Sequence, residues 1–154
     1  MPDHLFVPAG FAVPDGLTAA EFRLEPLGPQ HNAADYAAWT ASMDHIRATP
    51  GFAGWGWPEP MSLAENRRDL ERHAADFADR SGFTYTVLGA ADGEVIGCVY
   101  IYPPRGGAAG DGQAVVRSWV RADRAELDPV LYRAVRDWLD GSWPFRSAEY
   151  APRD

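Results

Sequence analysis

Phe83-Thr-Tyr-Thr-Val-Leu88, Ala90-Ala-Asp-Gly93 and Glu94-Val-Ile-Gly-Cys-Val-Tyr-Ile-Tyr102 follow one another near the middle of the chain. The first and third are rich in β-branched and aromatic residues. A short connection containing Asp-Gly between two such runs is the signature of a hairpin. The second strand is apolar on both faces, so it belongs in mid-sheet with cover on each side. A covered central strand requires further strands and helices, and the flanking sequence supplies both.

Toward the N-terminus, Phe22-Arg-Leu-Glu-Pro-Leu27 alternates apolar and polar residues as a strand with one buried face does, and Gly28-Pro29 ends it. A helix is expected over 30–48, with Tyr36, Trp39, Met43 and Ile46 on one core-facing stripe, stopped by Thr49-Pro50-Gly51. The loop from Phe52 to Pro60 mixes aromatics with Gly and Pro. Ser62 and Glu65 form a capping box that opens a helix running to about Arg80, with Leu63, Leu70, Ala74 and Phe77 inward. Pro2, Pro8, Gly10, Pro14 and Gly16 exclude a helix over 1–21, which reads as an extended N-terminal arm tacked down by Phe6, Val7 and Phe11.

Toward the C-terminus, a flexible loop over 103–113 carries four glycines. The strand 114–121 follows, with Val116, Ser118 and Val120 on one face and Arg117, Trp119 and Arg121 on the other. Asp128 as N-cap and Pro129 at the first helical position open a last helix that ends near Asp140-Gly141, its buried side marked by Leu131, Val135 and Trp138. A final strand spans 143–150. No repeat or linker divides the chain, so residues 1–154 read as a single domain of the α/β (α+β) class.

The composition narrows the function. Apolar residues make up 46% of the 154 and charged residues 23%, as in an ordinary globular domain. The net charge is −8, and duplex nucleic acid asks for a basic face; Arg67, Arg68 and Arg72 alternate with Asp69 and Glu71 and read as a solvated helix face. Nucleic acid is therefore excluded as a partner. All 14 basic residues are Arg, which fits a G+C-rich bacterial genome and removes Lys as a base or Schiff-base nucleophile. Cys98, the one cysteine, lies among apolar neighbours and reads as a small buried residue. The His residues at 4, 31, 45 and 73 have no metal-ligand spacing, so no metal is expected. Without an apolar run of about 20 residues or a signal-like N-terminus, no membrane association is expected and the default location is cytoplasmic.

The order strand, helix, helix, hairpin, strand, helix, strand resembles the GNAT N-acetyltransferase superfamily over about residues 20–150. Phe22-Arg-Leu-Glu-Pro-Leu27 is similar to that family's first strand. Phe83–Leu88 with Glu94-Val-Ile-Gly97 is similar to its central hairpin, and Ser118-Trp-Val-Arg-Ala-Asp123 to the start of its acetyl-CoA motif. The resemblance implies a GNAT-like, mixed and mostly antiparallel sheet of five or six strands flanked by three helices. It also implies acetyl-CoA as cosubstrate, with the backbone of Ser118, Trp119 and Val120 pairing with the pantetheine arm.

Where the family places a Gly-rich loop whose amides and helix N-terminus hold the CoA pyrophosphate, this chain has Arg121-Ala-Asp-Arg-Ala-Glu-Leu-Asp-Pro129, without glycine. Pro129 removes an N–H, and Glu126 and Asp128 bring carboxylates to the helix start. Arg121 and Arg124 are therefore expected to bind phosphate through guanidinium groups instead. The elements that follow the last strand in the family have no counterpart here, so the chain reads as C-terminally truncated. Its open edge strand at 143–150 predicts a homodimer.

For acid–base chemistry the sequence offers Glu94, expected to be exposed; His73, beside the Leu70/Phe77 stripe; and Tyr150 as a proton donor to a thiolate. None of these is a catalytic assignment. Two readings stand: a GNAT-like N-acetyltransferase with atypical acetyl-CoA binding and an unknown small-molecule or amine acceptor under the Trp55/Trp57 loop, or a non-catalytic GNAT-fold module for ligand or protein binding.

Overall fold

A computed structural model describes residues 5–104 and 112–153. Six strands form one sheet in sequential order: β1 (Leu17–Thr18), β2 (Phe22–Pro26), β3 (Phe83–Gly89), β4 (Val95–Tyr102), β5 (Gln113–Val120) and β6 (Ser147–Tyr150). All neighbours are antiparallel except β5 and β6, which run parallel. A parallel pair needs a crossover, supplied here by helix α4 (Asp128–Ser142). Helices α1 (Asn32–Thr40), α2 (Met43–Arg47) and α3 (Leu63–Asp79) lie between β2 and β3 in the chain. This is the expected mixed sheet with helical cover. Part of the loop expected over 103–113, residues 105–111, lies outside the described residues. No described helix is long and apolar enough to cross a membrane.

The doubly apolar run of β4 is buried along almost its whole length, with one cluster on each face of the sheet. Ile101 and Val99 pack with Leu131, Val135 and Trp138 of α4 and with Phe6 and Val7 of the N-terminal arm. Cys98 and Tyr100 pack with Trp119, Trp39, Ile46 and Leu70 on the α1–α3 side. Fully burying an aliphatic or aromatic side chain contributes about 1.5–3 kcal/mol, so both faces of β4 hold the domain together.

Four local expectations are corrected. The helix over 30–48 breaks at Ala41-Ser42, where Ser42 takes φ −129° and ψ 20° and its hydroxyl accepts the backbone N–H of Ala122 at 2.9 Å. Trp39 and Ile46 nonetheless stay buried on the same side. Leu63 is not inward but 46% exposed, because it occupies the first turn beyond the Ser62–Glu65 capping box. The last strand covers only Ser147–Tyr150, since Trp143 turns into the core and stacks on Phe145. Asp128 is the first residue of α4 rather than its cap; the preceding 3-10 turn, Ala122–Leu127, satisfies its N–H through the carbonyl of Ala125.

Candidate active-site cleft

The register of β4 on β5 decides which side chains share a face. Cys98, Tyr100 and Tyr102 stand opposite Trp119, Arg117 and Val115, so the alternating side chains of the two strands build one wall on the α3 side. The strand wall, α3 and the loop carrying Trp55 enclose a cavity of about 710 Å³ lined by Trp55, His73, Asp76, Tyr100, Tyr102 and Arg117, among others. A smaller inner cavity of about 250 Å³ shares Trp55, Arg72, His73 and Tyr100 with it and reaches Asp35, Trp57 and Asp69. Trp57 packs against Trp39, Trp119 and Tyr100, and the Arg117 guanidinium lies 4.6 Å over the Trp55 ring. The Trp55/Trp57 loop is thus a wall of the cleft.

His73 stands where α3 faces this wall. Its Nδ1 is 2.9 Å from the Tyr102 hydroxyl and 3.1 Å from that of Thr84. The single proton of Tyr102 is donated to Asp76 Oδ2 at 2.7 Å, so the tyrosine oxygen faces the imidazole as an acceptor. That assigns the proton of neutral His73 to Nδ1 and leaves a lone pair on Nε2. Among the described residues no hydrogen bond is made to Nε2. Burial, reinforced by the charge of Arg72, lowers the His73 pKa to about 4 against the opposing pull of Asp76 and Asp69, so the ring is neutral at ordinary pH. Burial raises the Asp35 carboxyl to about 6, moderated by its hydrogen bond from Asn66.

The five residues assigned from sequence to cofactor binding sit at the other end of β5 and just beyond. Ser118, Trp119 and Val120 are buried. Trp119 donates its indole N–H to the Tyr100 hydroxyl at 3.0 Å, and the Ser118 hydroxyl lies 2.6 Å from that of Tyr150. The pairing of β5 with β6 ends at Val116–Tyr150, and Pro152, with no N–H, cannot extend the ladder. Beyond that point no β5–β6 pair is formed. Arg121 donates to both oxygens of Asp123 at 2.9 and 2.8 Å and to Glu94 at 2.9 Å, while Arg124 donates to Asp92 at 3.0 Å. Sequence reasoning thus places both guanidiniums at the loop, and the structure pairs each with carboxylates. Glu94 is exposed, as expected, and serves as one of those partners.

A strand edge without a partner suits an extended chain of amides, which is what a pantetheine arm offers. In the described conformation the space is taken. Arg153, whose side chain is 3% exposed, donates from Nη2 to the Ser118 carbonyl at 2.8 Å and from Nε to Asp128 Oδ2 at 2.7 Å. The N–H groups of Arg121, Ala122 and Arg124 are likewise committed to Ile96 O, the Ser42 hydroxyl and Arg121 O. Arg153 thus caps the free edge of β5 beyond the last β6 pair.

Sequence reasoning missed Tyr102, Asp76 and Arg153. The first two carry a signal: Asp76 stands at i+3 from His73 on one helix, and Tyr100 and Tyr102 share a face by strand alternation. Arg153 carries none, since its contacts are 25 and 35 residues away.

No protein-family model and no curated protein matches the sequence. Solved structures do. A GCN5-related N-acetyltransferase from Brucella melitensis superposes with a TM-score of 0.67 at 17% identity, covering 91% of this chain and 61% of that one. The ribosomal-protein-S5-alanine acetyltransferase from Vibrio fischeri gives 0.60 at 12% identity, covering 80% and 66%. A microcin C7 self-immunity acetyltransferase, solved with acetyl-CoA and AMP, gives 0.58 at 12%, covering 85% and 71%. The chain therefore has the fold of the GNAT acetyltransferases and spans 61% to 71% of the length of these three structures.

Proposed function

We propose that the protein is an N-acetyltransferase that acetylates a small-molecule amine held in the Trp55–His73–Tyr100 cleft, with acetyl-CoA bound where β5 and β6 part. The observation that carries this reading is the chain Asp76–Tyr102–His73, which leaves an imidazole Nε2 lone pair at the cleft wall. Acetyl-CoA supplies an activated acyl carbon and a thiolate leaving group. On the protein side, Nε2 of His73 accepts the proton that the amine loses as its C–N bond forms. Tyr102, hydrogen-bonded to Asp76, holds the ring in the required tautomer, much as a carboxylate orients a catalytic histidine. A pKa of about 4 makes His73 a weak base, but one that is already deprotonated. Tyr150, whose pKa burial raises, keeps its phenol proton and shares a hydrogen bond with Ser118 on the α4 side of the sheet, so in this reading the sulfur departs as the thiolate.

The acceptor's character follows from the walls. Asp35, Asp69, Asp76 and Glu149 face Arg72 and Arg117 across the two cavities. Arg72 is paired with Asp69 at 2.7 Å, and Arg117 is stacked on Trp55 and bonded to Gly51 O. Carboxylates exceed guanidiniums, and the aromatic rings add negative faces, so the cleft favours a cation. For the donor, Arg121 and Arg124 are the phosphate ligands in this reading; their present carboxylate partners are solvent-accessible, and such ion pairs exchange at little cost.

The test is direct. Acetyl-CoA at about 100 times its dissociation constant adds roughly 2.7 kcal/mol to stability, a visible rise in melting temperature. An acetylation screen over arylalkylamines and polyamines then reads transfer. The expected result is a shift with acetyl-CoA and acetylated amine product; no shift at millimolar acetyl-CoA overturns the enzyme reading.

A further inference from the structure

We infer that Arg153 is a latch that holds the donor groove shut, so that acetyl-CoA enters only when the Ala151–Arg153 segment swings away. The inference rests on the acetyl-CoA reading above, but the latch itself is built from contacts independent of that reading.

Three features single Arg153 out. First, it is the most enclosed of the guanidiniums that form ion pairs among the described residues, at 3% exposure against 19% or more for the others. It lies 5.9 and 5.8 Å from the Tyr132 and Tyr150 ring centroids, which are themselves 4.6 Å apart, so its charge rests against an aromatic pair as well as being ion-paired. Second, its acceptors are the ones a donor would need. The Ser118 carbonyl lies on β5 just past the last β6 pair, and Asp128 is the first residue of α4. A bound arm hydrogen-bonded to Ser118 and a guanidinium hydrogen-bonded to Ser118 compete for one carbonyl. An Asp128 carboxylate left behind by the latch also sits at the helix end that would otherwise attract an anion.

Third, the latch is built to come undone. Asp128 Oδ1 is buried without a partner, so the pair is only half satisfied on the carboxylate side. Only Ala151 and Pro152 separate Arg153 from the end of β6, and Pro152 donates no ladder bond that would have to break. The Nη1 bond to Ala151 O, at 2.8 Å, lies within the same segment and can travel with it. A hinge of this length closes or opens the groove without disturbing the four register pairs that hold β6 to β5.

The experiment compares the intact chain with Arg153→Met, which keeps an apolar stem against the two tyrosines, and with Asp128→Asn, which removes the partner charge. The dissociation constant of CoA is measured by calorimetry, and amide exchange of residues 117–121 and 150–153 is followed with and without CoA. The latch predicts at least tenfold tighter CoA binding by Arg153→Met, a smaller gain in the same direction for Asp128→Asn, and faster exchange at 150–153 in the wild type once CoA is bound. Equal affinities with unchanged exchange overturn the latch and leave the acetyl-CoA reading standing. Weaker binding by Arg153→Met also overturns it. Absence of CoA binding in all three proteins overturns the acetyl-CoA reading, and the latch with it. Circular dichroism establishes that each variant is folded; if Arg153→Met is not, Asp128→Asn decides alone by the same criteria.

Discussion

At the Val115–Arg117 end of β5 the side chains face a cavity of about 710 Å³ containing an imidazole nitrogen to which no described residue bonds. At the Ser118–Arg121 end the hydroxyl, carbonyl and guanidinium groups are tied to Tyr150, Arg153, Asp123 and Glu94. The two regions lie on one strand and differ in polar satisfaction. The open end offers an unbonded imidazole nitrogen at a cavity wall, so it reads as a site awaiting a ligand. The tied end reads as one that has supplied its own.

The largest effect is expected at the open end. Replacing His73 by Gln should lower kcat/KM for acetylation by roughly 10²- to 10⁴-fold, the usual worth of a positioned acid–base group. Amine binding, followed by the fluorescence of the cleft tryptophans, should change little. Retained turnover would move the base elsewhere. Tyr102→Phe should cost less and leave a residual rate, because it frees the ring to reorient without removing it.

Next comes the pH response of stability, in which two groups of the cleft oppose each other. Asp35 has a raised pKa of about 6, so the stability linked to its neutral form is complete below about 4 and is lost as pH rises through 6. His73 has a lowered pKa of about 4, so its contribution is complete above 6.5 and is lost as pH falls toward 4. Between these limits the wild-type slopes offset. Asp35→Asn should therefore stabilise the fold at pH 7 by an amount on the order of 2–3 kcal/mol at most. It should also expose a fall in melting temperature between pH 6.5 and 4; a flat profile in that variant would show that folding does not lower the His73 pKa.

At the tied end the effects are smaller. Ser42→Ala leaves the Ala122 N–H without its acceptor and should cost about 1–2 kcal/mol in a denaturant titration. Arg124→Ala removes an exposed ion pair with Asp92 and should leave the melting temperature unchanged while weakening CoA binding. An equal loss of stability in both variants would erase the distinction drawn here between a structural and a ligand-facing group.

The sequence shows the strands well because their signals are local. Alternation in Phe22–Leu27, the doubly apolar run of β4 and the Asp-Gly turn each specify their own conformation, and the sheet follows from them. The break at Ser42 was hidden because no Gly or Pro marks it; a hydroxyl bonded 80 residues away does. The cleft was half legible. His73 stood out as a titratable group, whereas the direction in which Tyr102 donates, which fixes the histidine's tautomer, depends on α3 packing across β3 and β4. Arg153 is illegible for a stronger reason: nothing in Ala-Pro-Arg specifies that its guanidinium will fold back onto the Ser118 carbonyl and Asp128.

The single parallel pair also has a consequence for how the chain reaches this state. Strands β3, β4 and β5 are consecutive antiparallel neighbours that form from nearby sequence, while β6 reaches β5 only after α4 has crossed the sheet. Contacts of larger sequence separation carry a greater loop-closure cost and tend to form later. Folding should therefore assemble the β3–β5 meander first and add β6 last. In pulse-labelling exchange, amides of β4 should gain protection before those of β6, so that the wall beside His73 exists, for a time, without the parallel strand.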